Sequence, residues 1–493
     1  MKLLIGIVTS ILIAGLNVIS AQNHFVEVYQ DSATQGSKFG IVVGHTQDQG
    51  FLIGGIQLTQ DKTNFYFLKV DSNGNILNKQ SYPNAGHLEG VSYDLTKSYN
   101  RNFLMTGLYN ADSTTPLQGI LMKLNGIGDT LWTKRLKHTH DAGYTSIARS
   151  KFDSTYVMTG FKKDSNNLFN AYVRKISANG NKIWDLELPI DSHNILFDIT
   201  PTKDSNYLAT GMRQKNDFGV QKDGLDLLIA KIGADGTLIW KKSWDSLGTE
   251  RAHKIIPAHD DGYVIYGTKA DTGFFGFGAQ SHNLFVKIDK NGKQLYYDTF
   301  SITTDDSDQN IIQIQPNHYI TSSLSEFTMK GVEGSFLAPE LHKLNEKGKV
   351  IWQKPRAIQN KNFIPFDLIQ VKKNKFALTG SIREAAYNYA VLIVFDSLGN
   401  VSSVAPLDEN RHLKIDLYPN PVHSTLNLKI PVDKKHNFPY KFVIMNSAGQ
   451  KLRSIPIRST IQKLNVNALK AGNYIYLLTN EQKVLDSGVI VKQ

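Results

Sequence analysis

Residues of types that do chemistry are scattered through this 493-residue chain, and few of them gather in clusters. His138-x-His140-Asp141 and His259-Asp260-Asp261 carry imidazole and carboxylate, both ligands for zinc-like ions. Neither cluster is accompanied by a third or fourth ligand at a fixed spacing. Asp305-Asp306-Ser307-Asp308 concentrates carboxylates suited to calcium, but the glycine and terminal bidentate carboxylate of an EF-hand loop are missing. The sequence has no Gly-x-Ser-x-Gly elbow, no His-Glu-x-x-His and no phosphate-binding glycine loop. No catalytic set, cofactor or metal is therefore expected. The remaining candidate is Gly273-Phe274-Phe275-Gly276-Phe277-Gly278, three aromatics on a flexible glycine frame. Binding residues concentrate on loops carried by rigid scaffolds, so Phe274, Phe275 and Phe277 are candidate ligand contacts; the alternative is that they tuck against a sheet face.

The elements that must position such loops form a repeat. Leu227 to Trp240 is an apolar strand, an Asp-Gly turn and a second strand ending in an aromatic. Its pattern, a Lys, a Gly five residues on and an aromatic four further, recurs at Lys69/Gly74, Lys123/Gly128/Trp132, Lys175/Gly180/Trp184, Lys231/Gly236/Trp240, Lys287/Gly292/Tyr296 and Lys343/Gly348/Trp352, with a degenerate copy at Val394/Gly399. The turn glycines are 54, 52, 56, 56, 56 and 51 residues apart, which signals a repeat architecture. A second landmark, an aromatic four residues before a small residue, keeps step at Phe51/Gly55, Phe103/Gly107, Tyr156/Gly160, Tyr207/Gly211, Tyr263/Gly267, Tyr319/Ser323 and Phe376/Gly380. These segments are rich in β-branched and aromatic residues, as strands are. Units of about 50 residues with about four strands match one propeller blade, and seven copies predict seven blades.

Three finer expectations follow. The Asn-Gly and Asp-Gly turns suit two-residue hairpins with positive φ at both central residues. The recurrent Trp suits packing between blades better than ligand stacking, and the recurrent Lys suits a solvated strand position with its stem on a neighbour. Phe25 to Tyr29 precedes the first blade at the spacing of an outer strand, so it is expected to complete the seventh blade and remove an exposed edge. Ser177 to Trp184 resembles the Asp-box of sialidases only superficially, because Gly180 and Trp184 are separated by one residue too many.

The formal charge of +11 is unevenly placed. Residues 411–493 hold 13 Lys/Arg against 4 Asp/Glu and Lys2 adds one more, leaving the body near +1. A nearly neutral body is not the footprint of a nucleic-acid groove. Residues 1–21 read as a secretory signal: Lys2, an apolar run from Leu3 to Val18, and small residues at Ser20-Ala21. No later stretch approaches the length of a membrane-spanning helix. With no Cys, stability must come from burial rather than disulfides.

The repeat breaks after Val404. Residues 405–411 read as a polar linker, and 412–493 contain seven short strand-like segments that suit an immunoglobulin-like sandwich. The expected fold is thus all-β, with a seven-bladed β-propeller over 22–404 followed by a small sandwich. The tail carries Leu417-Tyr418-Pro419-Asn420-Pro421, then Thr425-Leu-Asn-Leu428, Asn446-Ser-Ala-Gly449-Gln450, Leu469-Lys-Ala-Gly472-Asn-Tyr474-Ile-Tyr476 and a terminal Val489-Ile-Val-Lys492. In this ordered set it resembles the type A C-terminal sorting domain of the type IX secretion system of Bacteroidota. The resemblance implies that Tyr418, Pro419, Asn420, Pro421, Gly449, Gly472, Tyr474 and Lys492 carry the sorting signal. It also implies the type IX machinery as partner, delivery to the medium or cell surface, and release or attachment to surface lipopolysaccharide after tail removal. The expected function is a secreted or surface binding propeller for a glycan or protein. The alternatives are a polysaccharide hydrolase or lyase and a structural adhesin component.

Overall fold

The computed structural model describes residues 24–30, 36–59, 63–82, 94–109, 115–136, 138–188, 192–214, 224–244, 248–270, 281–303, 310–328, 335–356, 358, 361–384, 386–401, 403–404, 415–430, 440–446, 451–479 and 484–493. They fall into two compact units, Met1–Ser403 and Val404–Gln493. The 1–21 signal and the whole of the 405–411 linker lie outside the described residues.

The first unit is a ring of antiparallel sheets. After β1 (Phe25–Tyr29) the chain forms β2 (Ser37–His45), β3 (Phe51–Leu58), β4 (Thr63–Val70) and β5 (Ile76–Tyr82), which pair in chain order as blade 1. Blade 2 is β6 (Asp94–Lys97), β7 (Phe103–Tyr109), β8 (Gln118–Leu124) and β9 (Thr130–Leu136). Blade 3 is β10 (Ala142–Arg149), β11 (Thr155–Lys163), β12 (Phe169–Ser177) and β13 (Lys182–Leu188), and blade 4 is β14 (Asn194–Pro201), β15 (Tyr207–Gln214), β16 (Leu225–Ile232) and β17 (Leu238–Trp244). Blade 5 is β18 (Thr249–Pro257), β19 (Tyr263–Ala270), β20 (Ser281–Ile288) and β21 (Gln294–Thr303), and blade 6 is β22 (Asn310–Gln315), β23 (His318–Thr328), β24 (Ser335–Asn345) and β25 (Val350–Pro355). Blade 7 is β26 (Phe363–Lys372), β27 (Lys375–Glu384) and β28 (Tyr387–Asp396), completed by β1 and the short β29 (Ser403–Val404). The expected closure is present: Phe25 pairs with Val394 and Tyr29 with Ala390. The first strands β2, β6, β10, β14, β18, β22 and β26 each touch the next and β26 touches β2, so they line a closed axial channel.

Burial explains the sequence pattern. Second strands such as Phe103-Leu-Met-Thr-Gly-Leu108 are buried throughout because neighbouring blades cover both faces. Outer strands such as β9 alternate between half-buried and exposed residues, since one face meets water. The glycine of the second landmark has a steric cause. A Cβ at Gly160 would lie 2.0 Å from the Gly143 carbonyl oxygen, and one at Gly267 would lie 1.8 Å from that of Arg251. Both positions face the irregularity where the first strand slips by one residue, between Tyr144 and Ser146 or between Ala252 and Lys254.

The Trp residues pack between blades as expected. A Cβ on Gly180, Gly236 or Gly292 would meet the indole of Trp132, Trp184 or Trp240 of the preceding blade at 2.8, 2.8 and 2.6 Å. Trp184 Nε1 also donates to the Ala234 carbonyl at 3.0 Å.

Two of the finer expectations are corrected. In the turns only the glycine has positive φ (93° at Gly74, 91° at Gly236), and the preceding Asn or Asp does not. Gly74 N donates to the Asp71 carbonyl and Asp71 Oδ1 accepts from Asn73 N and Asn75 N, so the turn is a type I turn with a glycine bulge. At this turn the Asp71 carboxylate braces the form, which recurs at Gly180 and Gly236 with Ser177 and Gly233 at the first position. The recurrent lysines are not generally solvated either. Lys69, Lys175 and Lys287 are buried, and together with Lys231 they pair with Asp48, Asp153, Asp260 and Asp204 at 2.8, 3.0, 2.7 and 2.6 Å. Each aspartate sits on the turn joining the first two strands of its own blade, so the pair ties that turn to the third strand.

Among its described residues the second unit has seven strands in two sheets. β30 (Asp416–Tyr418), β31 (Thr425–Lys429) and β34 (Ile461–Asn465) form one; β33 (Lys451–Ile457), β32 (Tyr440–Met445), β35 (Gly472–Thr479) and β36 (Val484–Lys492) form the other. Leu426, Leu428, Phe442, Ile444, Ile457, Leu464, Tyr476 and Leu478 fill one shared core.

Candidate functional site

One position on each first strand faces the residue just before the landmark glycine or serine. Register places Val42, Asp94, Ser146, Asp198, Lys254, Asn310 and Asp367 there, opposite Gly54, Thr106, Thr159, Thr210, Tyr266, Ser322 and Thr379. The ring thus presents three carboxyls, one ammonium, one amide and one hydroxyl to the axis. Most of them clasp the next blade. Asp94 Oδ2 accepts from Ile147 N at 2.9 Å, Asp198 Oδ2 from Ile255 N at 2.8 Å and Asp367 Oδ2 from Val43 N at 2.9 Å. Asn310 Nδ2 donates to the Phe366 carbonyl at 2.7 Å. Ser146 Oγ lies 2.7 Å from Asp94 Oδ2 and 2.8 Å from Asp198 Oδ1. A hydroxyl carries one proton, so satisfying both contacts requires a proton on one of the two carboxyls.

Burial raises the Asp198 carboxyl, reinforced by the charge of Asp94 and opposed by Lys254. Burial likewise pushes Asp367 up to about 6, against the pull of Lys254 and the Val43 N–H. Lys254 Nζ stands 3.4 Å from Asp198 Oδ1, and its ammonium is held well above the ordinary lysine range: burial disfavours the charge, but the three carboxyls outweigh it. These carboxyls are thus already engaged with backbone, hydroxyl and ammonium.

A cavity of about 450 Å³ opens at one end of this ring, between β6, β10 and β14. Asp94, Ser146 and Asp198 form its inner wall, Leu95, Ile147 and Ile199 its apolar side, and Lys97, Arg149 and Lys151 its rim. Among the described residues none of these three cations has a carboxylate within ion-pairing distance. Arg149 is held over the Tyr99 ring at 4.8 Å, and the Tyr99 hydroxyl sits between the carbonyls of Ser150 and Asp153, which share its one proton. The spacing of Asp94, Ser146 and Asp198, 52 residues at each step, is the sequence signal for the inner wall. It is visible only once the bulged first strand is recognised.

The residues singled out from sequence are placed apart from this cavity or outside the described chain. Phe274, Phe275 and Phe277 lie outside the described residues, as do Asp305, Asp306 and Asp308. Asp260 is committed to Lys287 and Asp261 to Lys203. His138 stacks edge-on against Tyr172, and burial lowers its imidazole to about 4. Asp141 accepts from Leu117 N and pairs with Lys163. Among the described residues no three His, Cys, Asp or Glu side chains are grouped to hold a metal ion, and no helix there is long and apolar enough to cross a membrane.

In the tail the structure brings the two ends of the motif together. Asn420 Oδ1 accepts from Val491 N at 2.8 Å, Val422 N donates to the Val491 carbonyl at 2.7 Å, and Gln493 N donates to the Val422 carbonyl at 2.9 Å. The Tyr418-Pro419 and Asn420-Pro421 peptides are cis. Gly472 pairs with Lys492 across β35 and β36, and the Tyr474 hydroxyl donates to the Lys470 carbonyl. Gly449 lies outside the described residues.

Residues 416–492 match the secretion system C-terminal sorting domain family, the type IX sorting domain, which implies export to the cell surface or extracellular space. No curated protein matches the chain. Among solved structures, the polysaccharide lyase Uly1 is 8% identical over 78% of this chain and 94% of its own, with a TM-score of 0.46. The α-L-arabinofuranosidase Arb93A of Fusarium graminearum is 9% identical over 64% and 94%, at 0.41. The lignostilbene dioxygenase of Pseudomonas brassicacearum is 12% identical over 78% and 90%, at 0.41. Likenesses this distant carry no activity across.

Proposed function

We propose that the body is a binding propeller, carried out of the cell by its sorting domain, that engages an extracellular glycan or protein through the end of its axial channel. The observation that carries this reading is the cavity between β6, β10 and β14: it falls within the roughly 300–1,000 Å³ of ligand sites and is rimmed by cations that nothing in the described chain neutralises. Binding is favoured over hydrolysis or lysis because the wall carboxyls already serve as clasps between blades, leaving no free acid and base pair poised over a reacting bond. An adhesin role would use the same surface. On this reading the signal at 1–21 is removed, and the tail is cleaved or used for lipopolysaccharide attachment.

A glycan-array and protein-pulldown screen with the purified chain tests the assignment. Specific binding that is lost when Thr96 and Ala148 at the cavity are replaced by Trp is expected. Turnover of a polysaccharide without stable binding would transfer the assignment to the enzyme class. For the export route, cutting the chain before β36 is expected to leave the protein inside the cell, measured by surface proteolysis and immunoblot.

A further inference from the structure

The distribution of charge around the cavity specifies its ligand further. The body is close to neutral overall, and most of the recurrent lysines are neutralised by a turn aspartate. Lys97 at the end of β6, Arg149 at the end of β10 and Lys151 just beyond it lie outside that repeat, have no carboxylate partner among the described residues, and gather at one channel mouth. The positive field continues onto blades 1 and 7. His45 is held down to about 4, chiefly by burial and then by the charges of Lys97 and Lys375, and Lys375 is itself lowered by burial and by neighbouring Lys372. Asp48 sits on this side but is committed to Lys69. The inner wall has the opposite character: the Asp94 and Asp198 carboxyls, although each clasps a neighbouring blade through one oxygen, keep further acceptor lone pairs beside Ser146 and carry negative charge that repels anions.

A ligand that satisfies both ends carries its negative charge at the rim and presents hydroxyl donors inward. A nucleic acid or polyphosphate does the reverse, driving charge toward the wall carboxyls. Resting on the binding reading above, we infer that the mouth formed by Lys97, Arg149 and Lys151 takes an acidic polysaccharide, with sugar hydroxyls reaching Asp94, Ser146 and Asp198 and carboxylate or sulfate groups on the rim. Arg149, held over Tyr99, supplies the planar fork that pairs with such oxyanions.

The test is equilibrium binding of the full chain to polygalacturonate, dextran sulfate and neutral dextran. One or both anionic polymers are expected to bind, neutral dextran is not, and the two polyanions separate a carboxylate from a sulfate preference. Affinity is expected to fall at least about tenfold in the Lys97→Gln/Arg149→Gln/Lys151→Gln variant and to weaken as salt rises from about 0.05 M to about 0.5 M. A matched variant with Lys182, Lys241 and Lys293 changed to Gln, on outer strands and a turn, is expected to bind like wild type. Melting temperature is read for each variant; if the triple variant unfolds, Arg149→Lys alone, which keeps charge but loses the fork, is expected to lower affinity. Equal binding by the rim and control variants, or no binding to either polyanion, overturns the inference. If neutral glycans or a protein bind while polyanions do not, the broader binding reading stands and this one falls. If no glycan or protein binds at all, both fall.

Discussion

Asp48, Asp153 and Asp204 each accept from a buried or half-buried lysine, and these contacts outweigh the raising effect of burial to hold each carboxyl at about 2. A carboxyl depressed below its unfolded value contributes stability above the unfolded value near 4 and loses it as pH falls through about 2. Asp367 has the opposite sign. With its folded value raised to about 6, the native state holds a proton that the unfolded chain releases, so its contribution favours folding below about pH 4 and erodes as pH rises through 6. Melting curves from pH 2 to 8 are therefore expected to show two opposed slopes. Asp204→Asn should flatten the acid limb, at about 0.2–1 kcal/mol because the carboxylate is half exposed. Asp367→Asn should flatten the slope between pH 4 and 6. If Asp367→Asn leaves that slope unchanged, Asp367 does not hold the proton.

At the scale of the element, the contact between an outer-strand aromatic and the next blade's turn is the repeating joint. Gly236 has φ of 91°, and a Cβ there would meet the Trp184 indole at 2.8 Å. Gly236→Ala combines backbone strain with displacement of the ring, and about 1–3 kcal/mol of destabilisation is expected by denaturant titration. Trp184→Ala opens the same joint from the other side; indole loss in a well-packed site costs about 3–5 kcal/mol, with the low end expected because Trp184 is half-exposed. The two changes should be less than additive, since they remove one contact. Additive losses would show that the indole and the turn do not depend on each other.

For the whole molecule, much of the ring was legible in the primary structure because its landmarks are steric necessities. Gly160 and Gly267 face a bulged backbone, Trp132 and Trp184 cover turn glycines, and Phe25 to Tyr29 sits at the spacing of a missing outer strand. The turn type and the buried lysines were not. The Asn-Gly and Asp-Gly pairs alone do not distinguish a two-residue loop from a type I turn with a glycine bulge, and Asp48 becomes a neighbour of Lys69 only after folding. The candidate site was hidden for the same reason. Asp94, Ser146 and Asp198 are unremarkable in their own segments and meet only on the axis, whereas local motifs point instead to Phe274 and its neighbours.

The pairing of β1 with β28 is the closure of the ring, and Phe25 packs against Phe51 of the next blade at 6.4 Å between ring centroids. Removing residues 24–30 is expected to lower the melting temperature sharply, and an unchanged midpoint would show that the seventh blade is complete without them. The same seam sets a timetable for the nascent polypeptide. A segment synthesised near the beginning has to wait, unpartnered, until almost the entire body has followed it, so the circle cannot be sealed by folding from one end to the other. Until the last blade is in place the body is an open arc, and its first strand and its final sheet shut it together.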